Sequence, residues 1–134
     1  MTLCNVNPDE KPKPLILHVD DDPDVRLLMV GSLQELGYTV LTAGTVKEAL
    51  ELGKDTKFDL CILDVRLPDG TGVELCQQLR ALQPEAPIVY YSAYADQDSQ
   101  EKALSVCGDA YLRKPTSMYE WEGTIKELLA RRNG

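Results

Sequence analysis

Three aspartates stand directly after two short apolar segments of the chain. Asp20 and Asp21 follow the segment 15–19, and Asp64 follows the segment 60–63. If these segments are neighbouring parallel strands, the three carboxylates meet at the carboxyl edge of one sheet, where open α/β sheets bind ligands. Like charges held together need a compensating cation. Oxygen ligands favour a hard ion such as Mg2+, which leaves positions for water and phosphate oxygens.

Two further polar side chains follow other apolar segments. Ser92 comes after the segment 88–91, and Lys114 comes after the segment 110–113. The ammonium of Lys114 is a candidate for the cation that compensates the carboxylates. Each residue taken alone has an ordinary explanation, as a strand-end hydroxyl or a solvated charge. Together with the carboxylates, and each just past a separate predicted strand, they suit a bound or covalently attached phosphate.

Strand-like and helix-like segments alternate five times from Pro14 onward, which is the pattern of a parallel sheet with crossover helices. The predicted strands are 15–19, 38–42, 58–63, 88–91 and 110–113, and the predicted helices are 23–36, 45–53, 73–79, 96–106 and one ending near residue 131. The third strand is almost wholly apolar, as expected for a central strand covered on both faces. The sequence therefore predicts an α/β fold.

The bulk composition fits one domain in a chain of 134 residues. Residues 1–13 carry prolines, asparagines and mixed charge without an apolar period, so we predict a flexible leader there and one folded domain over 14–132. No apolar run is long enough to span a bilayer and no signal peptide is evident, which predicts a cytoplasmic protein with no membrane partner. The net charge of −8 argues against direct nucleic-acid binding.

The four cysteines show no CxxC spacing. Cys61 and Cys76 fall at apolar positions of a predicted strand and a predicted helix, so we predict that both are buried free thiols. Cys4 and Cys107 are left unassigned.

Four motifs occur in order along the chain: HVDDDP at 18–23, LDVRLPDGTG at 63–72, YSA at 91–93 and LRKP at 112–115. Together they resemble the receiver domain of two-component response regulators, the CheY-like family, over roughly residues 15–129. The resemblance implies a flavodoxin-like, doubly wound sheet of five parallel strands in the order 2-1-3-4-5, with helices on both faces. It also implies a phospho-acceptor with at most slow autodephosphorylation rather than an enzyme.

The resemblance assigns the carboxylates. Asp64 resembles the aspartate that accepts the phosphoryl group, and Asp20 and Asp21 resemble the acidic pair that holds Mg2+ together with Asp64 and the backbone carbonyl of Arg66. A carboxylate is a poor nucleophile toward phosphorus unless a metal neutralises the transferring oxygens, which explains why these groups belong together.

The resemblance also assigns the remaining polar groups. Lys114, Ser92 and the backbone of Ala93 resemble the groups that bind the phosphoryl oxygens, and the family has a cis peptide bond where Pro115 follows Lys114. Ser92 and Tyr111 resemble the switch pair, in which the hydroxyl moves to the phosphoryl group and the aromatic ring turns inward. This movement alters the face formed by the fourth helix, fifth strand and fifth helix.

Arg66 and Tyr94 each lie two residues beyond a site residue. By the resemblance, these positions tune the lifetime of the phosphoryl group by shielding it from water. Large side chains at both positions predict a longer lifetime.

The implied partners are a sensor histidine kinase or a histidine phosphotransfer protein, and an unidentified output partner or domain. Homodimerisation through helix 4, strand 5 and helix 5 stays open. One alternative is a receiver-like docking module that does not use phosphorylation, although the full set of polar residues argues against it. Another is a haloacid-dehalogenase-type Mg2+ phosphatase, but that family has a second aspartate where Arg66 stands and usually needs a cap domain.

Overall fold

Five parallel strands form the central sheet of the computed structural model, which describes residues 12–94 and 96–133. The strands are β1 Leu15–Val19, β2 Thr39–Ala43, β3 Leu60–Leu63, β4 Ile88–Ser92 and β5 Ala110–Arg113. They pair in the order β2-β1-β3-β4-β5, which confirms the predicted topology. Most of the predicted leader, residues 1–11, lies outside the described residues.

A helix follows each strand. The helices are α1 Pro23–Glu35, α2 Val46–Asp55, α3 Gly72–Leu82, α4 Gln97–Val106 and α5 Met118–Asn133. A small hairpin of two-residue strands, Arg66–Leu67 and Gly70–Thr71, lies between β3 and α3. Across the described parts of the chain, no helix is both long and apolar enough to cross a membrane.

Two hydrophobic layers cover the sheet, because successive residues of a strand point to opposite faces. On β1, Leu17 and Val19 face one layer and Ile16 faces the other. The first layer includes Ala49, Leu75 and Leu79 from α2 and α3, and the second includes Leu33, Trp121 and Ile125 from α1 and α5. Burial of each large aliphatic side chain stabilises the fold by about 1.5–3 kcal/mol.

The central strand β3 is fully buried, as predicted from its apolar run. It begins at Leu60 rather than at residue 58. The cause is local, because the Phe58 N–H donates to the side-chain oxygen of Gln83 at 3.0 Å. The side-chain amide of Gln83 in turn donates to the backbone carbonyls of Gly53 and Thr56. The Phe58 N–H is therefore satisfied by a side chain instead of by a neighbouring strand.

Acidic and hydroxyl side chains satisfy the N-termini of the helices that begin near the carboxyl edge of the sheet. Asp22 accepts from the Asp24 N–H and caps α1. Asp69 in the hairpin accepts from the Val46 and Lys47 N–H groups at 2.8 and 3.0 Å. The hairpin after β3 is thereby tied to the start of α2.

The structure contradicts one prediction about the cysteines. Cys76 on α3 is bonded to Cys107, the residue after α4, in a disulfide with a Cα–Cα distance of 6.1 Å. The prediction of a free thiol at Cys76 was wrong because 31 residues separate the pair, and only helix packing brings them together. Cys61 is buried and free as predicted, and burial raises the pKa of its thiol to about 12. Cys4 lies outside the described residues.

Candidate functional site

The carboxylates of Asp20, Asp21 and Asp64 meet at the carboxyl edge of the sheet, as predicted. The parallel pairing of Val19 with Leu63 places Asp20 and Asp64 side by side. Each of the three aspartates offers a carboxylate oxygen within 4.8 Å of those of the other two. Asp20 and Asp64 are 1% and 8% exposed, while Asp21 is exposed. The cluster is therefore open to solvent on one side only.

Lys114 reaches this cluster from the end of β5. Its Nζ atom donates to a carboxylate oxygen of Asp20 at 2.6 Å and to one of Asp64 at 3.0 Å. Burial alone would lower the pKa of Lys114, but its hydrogen bonds to the two aspartates raise the pKa above its usual value. The ammonium therefore stays charged and compensates part of the negative charge, as the sequence predicted.

Opposing effects act on the pKa of the Asp64 carboxyl. Burial raises the pKa of the Asp64 carboxyl above its usual range, and the hydrogen bond from Lys114 acts in the opposite direction. The nearby carboxylate of Asp20 also raises the pKa of Asp64. A second cation at this point would lower the pKa of Asp64 and favour the ionised form.

The donor set fits a hard divalent cation. Three carboxylates converge, whereas Lys114 is the cationic side chain that ion-pairs with them among the described residues. The site therefore keeps an excess of negative charge and offers only oxygen ligands, which is the chemistry that Mg2+ prefers. The side chains of Asp20, Asp21 and Asp64 would hold such an ion.

Ser92 ends β4 at the same edge. It is fully buried, and its backbone carbonyl accepts from the Lys114 N–H at 3.0 Å. The Ser92 hydroxyl accepts from the Tyr94 N–H at 3.1 Å, and Ala93 is exposed beside it. The Lys114–Pro115 peptide bond is cis, as the family resemblance implied. The two side chains predicted to bind the phosphoryl group, Ser92 and Lys114, thus lie at the carboxyl ends of the adjacent strands β4 and β5.

Tyr111 and Ser92 both contact the loop that follows β4, at Tyr94. Its hydroxyl donates to the backbone carbonyl of Tyr94, whose N–H donates to Ser92. The Tyr111 ring lies 5.6 Å from the Tyr90 ring, centroid to centroid. Burial raises the pKa of Tyr111, so its hydroxyl remains a hydrogen-bond donor. Both residues of the predicted switch pair therefore bond to the backbone of one residue, Tyr94.

Arg66 and Tyr94 form a cation–π pair. The guanidinium carbon of Arg66 lies 3.7 Å from the centroid of the Tyr94 ring. Tyr94 is 49% exposed, so the pair is worth about 0.5–1 kcal/mol. The sequence placed each residue two positions beyond a site residue, but it did not predict that they touch.

Arg26 is a site residue that the sequence analysis missed. Its guanidinium donates to the backbone carbonyl of Asp20 at 2.6 Å. Gly44 leaves room for this side chain, because a Cβ atom at that position would lie 3.0 Å from the same guanidinium nitrogen. Arg26 thereby holds the peptide that joins Asp20 to Asp21. Its position near the start of α1, five residues after Asp21, was the available signal.

Gly72 is a second such residue. A Cβ atom there would clash with the backbone carbonyl of Asp64, and the Gly72 N–H donates to the carbonyl of Val65 at 2.7 Å. Glycine at this position lets the start of α3 lie directly against the loop that carries Asp64. The glycines of the LPDGTG motif were the signal for this close approach.

His18 lies on β1, two residues before Asp20. It is 1% exposed, and neither ring nitrogen has a hydrogen-bond partner among the described residues. Burial lowers the pKa of His18 to about 4, and the charge of Asp20 opposes that shift only in part. The imidazole is therefore neutral at physiological pH.

Known proteins are similar to this chain in sequence and in fold. A family model described as the response regulator receiver domain matches residues 16–126. The response regulator protein PilR of Pseudomonas aeruginosa is 38% identical over 114 residues, which make up 85% of this chain and 25% of PilR. The chain therefore spans about a quarter of that relative.

Two solved structures are similar over most of the chain. A CheY-like response regulator receiver domain protein from Methanospirillum hungatei has a TM-score of 0.85 and 30% identity, covering 91% of this chain and 98% of that one. The receiver domain of the sensor histidine kinase PA1611 from Pseudomonas aeruginosa, solved with a magnesium ion coordinated in its active-site cleft, has a TM-score of 0.81 and 26% identity. The alignment covers 89% of this chain and 99% of the PA1611 domain.

Proposed function

Because this chain belongs to the response regulator receiver domain family, we propose that its domain, residues 14–132, accepts a phosphoryl group on Asp64. The donor would be a histidine of a sensor kinase or of a phosphotransfer protein. The observation that carries the proposal is the convergence of three carboxylates and the Lys114 ammonium at one edge of the sheet. Domains of this family are generally non-enzymatic phospho-acceptors.

The nucleophile is an ionised oxygen of Asp64. The reaction forms a bond between this oxygen and phosphorus, while the bond from phosphorus to the donor histidine breaks and its electrons stay on the histidine nitrogen. Asp20, Asp21, Asp64 and the backbone carbonyl of Arg66 would hold Mg2+, which neutralises charge on the transferring phosphoryl oxygens. Lys114, already 3.0 Å from Asp64, pairs with one of these oxygens after transfer.

The switch follows from the hydrogen bonds around Tyr94. Ser92 accepts from the Tyr94 N–H, and Tyr111 donates to the Tyr94 carbonyl. When the Ser92 hydroxyl and the Ala93 N–H turn to the phosphoryl group, the Tyr94 N–H loses its acceptor. The loop then shifts, Tyr111 loses its acceptor in turn, and the α4–β5–α5 face changes.

The Arg66–Tyr94 pair is proposed to lengthen the life of the phosphoryl group. The guanidinium and the ring stack 3.7 Å apart, and each residue lies two positions beyond a group that contacts the phosphoryl oxygens. Two large side chains at these positions obstruct the approach of water to phosphorus. Autodephosphorylation is therefore expected to be slow.

Receiver domains of response regulators interact with histidine kinases and with output domains. We propose that this domain works in the cytoplasm and that its α4–β5–α5 face is read by an output partner, by an output domain or by a second copy of the domain. Nucleic-acid binding by the domain itself is not expected at a net charge of −8.

Intact mass spectrometry after incubation with acetyl phosphate and Mg2+ tests the proposal. We expect a gain of one phosphoryl group, which is lost in Asp64→Asn and in EDTA. Asp55→Asn is the matched control, because Asp55 is an exposed carboxylate at the end of α2 and its loss should leave the adduct unchanged. A folded protein that binds Mg2+ without forming an adduct would instead favour the docking module. Steady turnover of phosphate esters would favour the phosphatase.

A further inference from the structure

The disulfide between Cys76 and Cys107 joins the core of the domain to the surface that is expected to switch. We propose that these two residues form a thiol–disulfide exchange site that takes low-molecular-weight disulfides such as glutathione disulfide, and that its oxidation restrains α4. The inference rests on the proposed function for the role of α4, whereas the redox chemistry of the pair stands independently of phosphorylation. In a cytoplasmic protein, a disulfide is more often transient or redox-sensing than structural.

The two cysteines differ in their access to solvent. Cys76 is fully buried in the layer formed by α2 and α3, whereas Cys107 is half-buried at the end of α4. An external thiol or disulfide can therefore approach only Cys107. This asymmetry assigns Cys107 as the attacking residue and Cys76 as the resolving residue.

The exchange balances with glutathione disulfide as the oxidant. The Cys107 thiolate attacks one sulfur of glutathione disulfide, which forms a mixed disulfide and releases one glutathione thiolate. The Cys76 thiolate then attacks the Cys107 sulfur, which forms the protein disulfide and releases the second glutathione. The two protein thiols supply the two protons that the released thiolates take up. Reduction by glutathione runs the same steps in reverse.

The bridge holds a helix that buries one residue besides its contact with the disulfide. Ala103 is the buried residue of α4, and the N-terminus of α4 has no side-chain capping hydrogen bond. By contrast, α3 buries Leu75, Cys76 and Leu79. The disulfide therefore ties the weakly packed helix α4 to the well packed helix α3, and its reduction should free the C-terminal end of α4.

A chain of contacts connects the bridge to the switch aromatic. The Cys107 carbonyl accepts from the Tyr90 hydroxyl at 2.7 Å. The backbone of Gly108 packs closely against the same ring. A Cβ atom at this position would lie 2.6 Å from a Tyr90 ring carbon. The Tyr90 ring packs against the Tyr111 ring in a tilted arrangement, with 5.6 Å between the centroids. Fixing Cys107 therefore fixes the ring against which Tyr111 must move.

The first test reads the thiols without phosphorylation. A Cys4→Ala background removes one of the four cysteines, which leaves Cys61 and the pair. After equilibration with glutathione disulfide and denaturation, alkylation should label only Cys61, and after equilibration with excess glutathione it should label all three cysteines. Failure of the pair to oxidise, or to reduce in the folded protein, would overturn the exchange site whatever Asp64 does.

The second test reads α4. Amide hydrogen exchange over residues 97–107 should be roughly tenfold slower in the oxidised protein than in the reduced protein. Acetyl phosphate with Mg2+ should change the exchange of these amides more in the reduced form. Cys107→Ser and Cys76→Ser should behave like the reduced protein in both redox buffers, while Cys61→Ala should keep the redox response. Identical exchange in oxidised and reduced protein would refute the restraint on α4.

Discussion

The Nζ atom of Lys114 lies 2.6 Å from a carboxylate oxygen of Asp20 and 3.0 Å from one of Asp64. One side chain thus joins the ends of β1, β3 and β5. Because Asp20 is 1% exposed, this cation does more than a surface ion pair would. It permits two buried carboxylates to stay side by side in the metal-free protein.

Removal of the Lys114 charge should destabilise the metal-free protein. In Lys114→Met the two carboxylates lose their cation, and we expect a loss of roughly 1–3 kcal/mol of unfolding free energy, less than for a fully buried pair because the lysine is part-exposed. Urea unfolding in EDTA measures the loss, and added Mg2+ should restore most of it. Lys47→Met, an exposed substitution on α2, should cost little. An equal effect of Mg2+ on both variants would contradict the shared site.

Arg26 should matter for metal affinity. It holds the Asp20 carbonyl at 2.6 Å, so its loss should let the acidic pair move and weaken Mg2+ binding roughly tenfold. Arg26→Gln removes this hydrogen bond and should show the full loss in a calorimetric Mg2+ titration, whereas Gly44→Ala only crowds the guanidinium and should have a smaller effect. Arg26→Lys should restore part of the affinity. If only thermal stability falls while Mg2+ affinity stays unchanged, Arg26 does not position the site.

The Arg66–Tyr94 pair should set the phosphoryl lifetime. Tyr94→Ala and Arg66→Ala each break the 3.7 Å stack and should shorten the life of the adduct several-fold, because water reaches phosphorus more easily. The double variant should add little to either single change. Tyr119→Ala removes an 89% exposed ring from α5 and serves as the control. The decay of the mass adduct after removal of acetyl phosphate gives the rates, and unchanged rates in both variants would exclude shielding.

His18 should make the metal-free domain less stable in mild acid. Its pKa is lowered to about 4 in the folded protein from 6.5, so the unfolded chain binds the proton more tightly. Stability is therefore fully present above the unfolded pKa and falls as pH decreases toward the folded pKa. Between about pH 7.5 and pH 5 we expect a loss of roughly 2 kcal/mol.

His18→Leu isolates this effect, since the chain has one histidine. The raised pKa of Asp64 favours folding at low pH and so acts in the opposite direction, but it is common to both proteins. Urea unfolding in EDTA at the two pH values should show a smaller pH dependence in the variant. Equal slopes would show that the buried imidazole does not carry the proton linkage.

The local sequence pattern was enough to predict a parallel sheet and the sequence of strands and helices along the chain. It also predicted that Asp20, Asp21, Asp64 and Lys114 lie at the same edge of the sheet. Alternating apolar segments identify strands, and parallel strands bring their carboxyl ends to one edge, so a residue just after a strand is placed by its position in the sequence. The motifs resembling the receiver family supplied the strand order, which the pattern alone does not determine.

Specific contacts between different elements of the fold were decided only by the tertiary structure. The disulfide from Cys76 to Cys107, the Asp69 cap on α2, the Arg26 bond to Asp20 and the Arg66–Tyr94 stack each join different elements. Their geometry depends on how the helices pack against the sheet and on which rotamers that packing leaves open. Sequence periodicity specifies which face of an element is buried, but it does not specify which side chains of two packed elements come within contact distance.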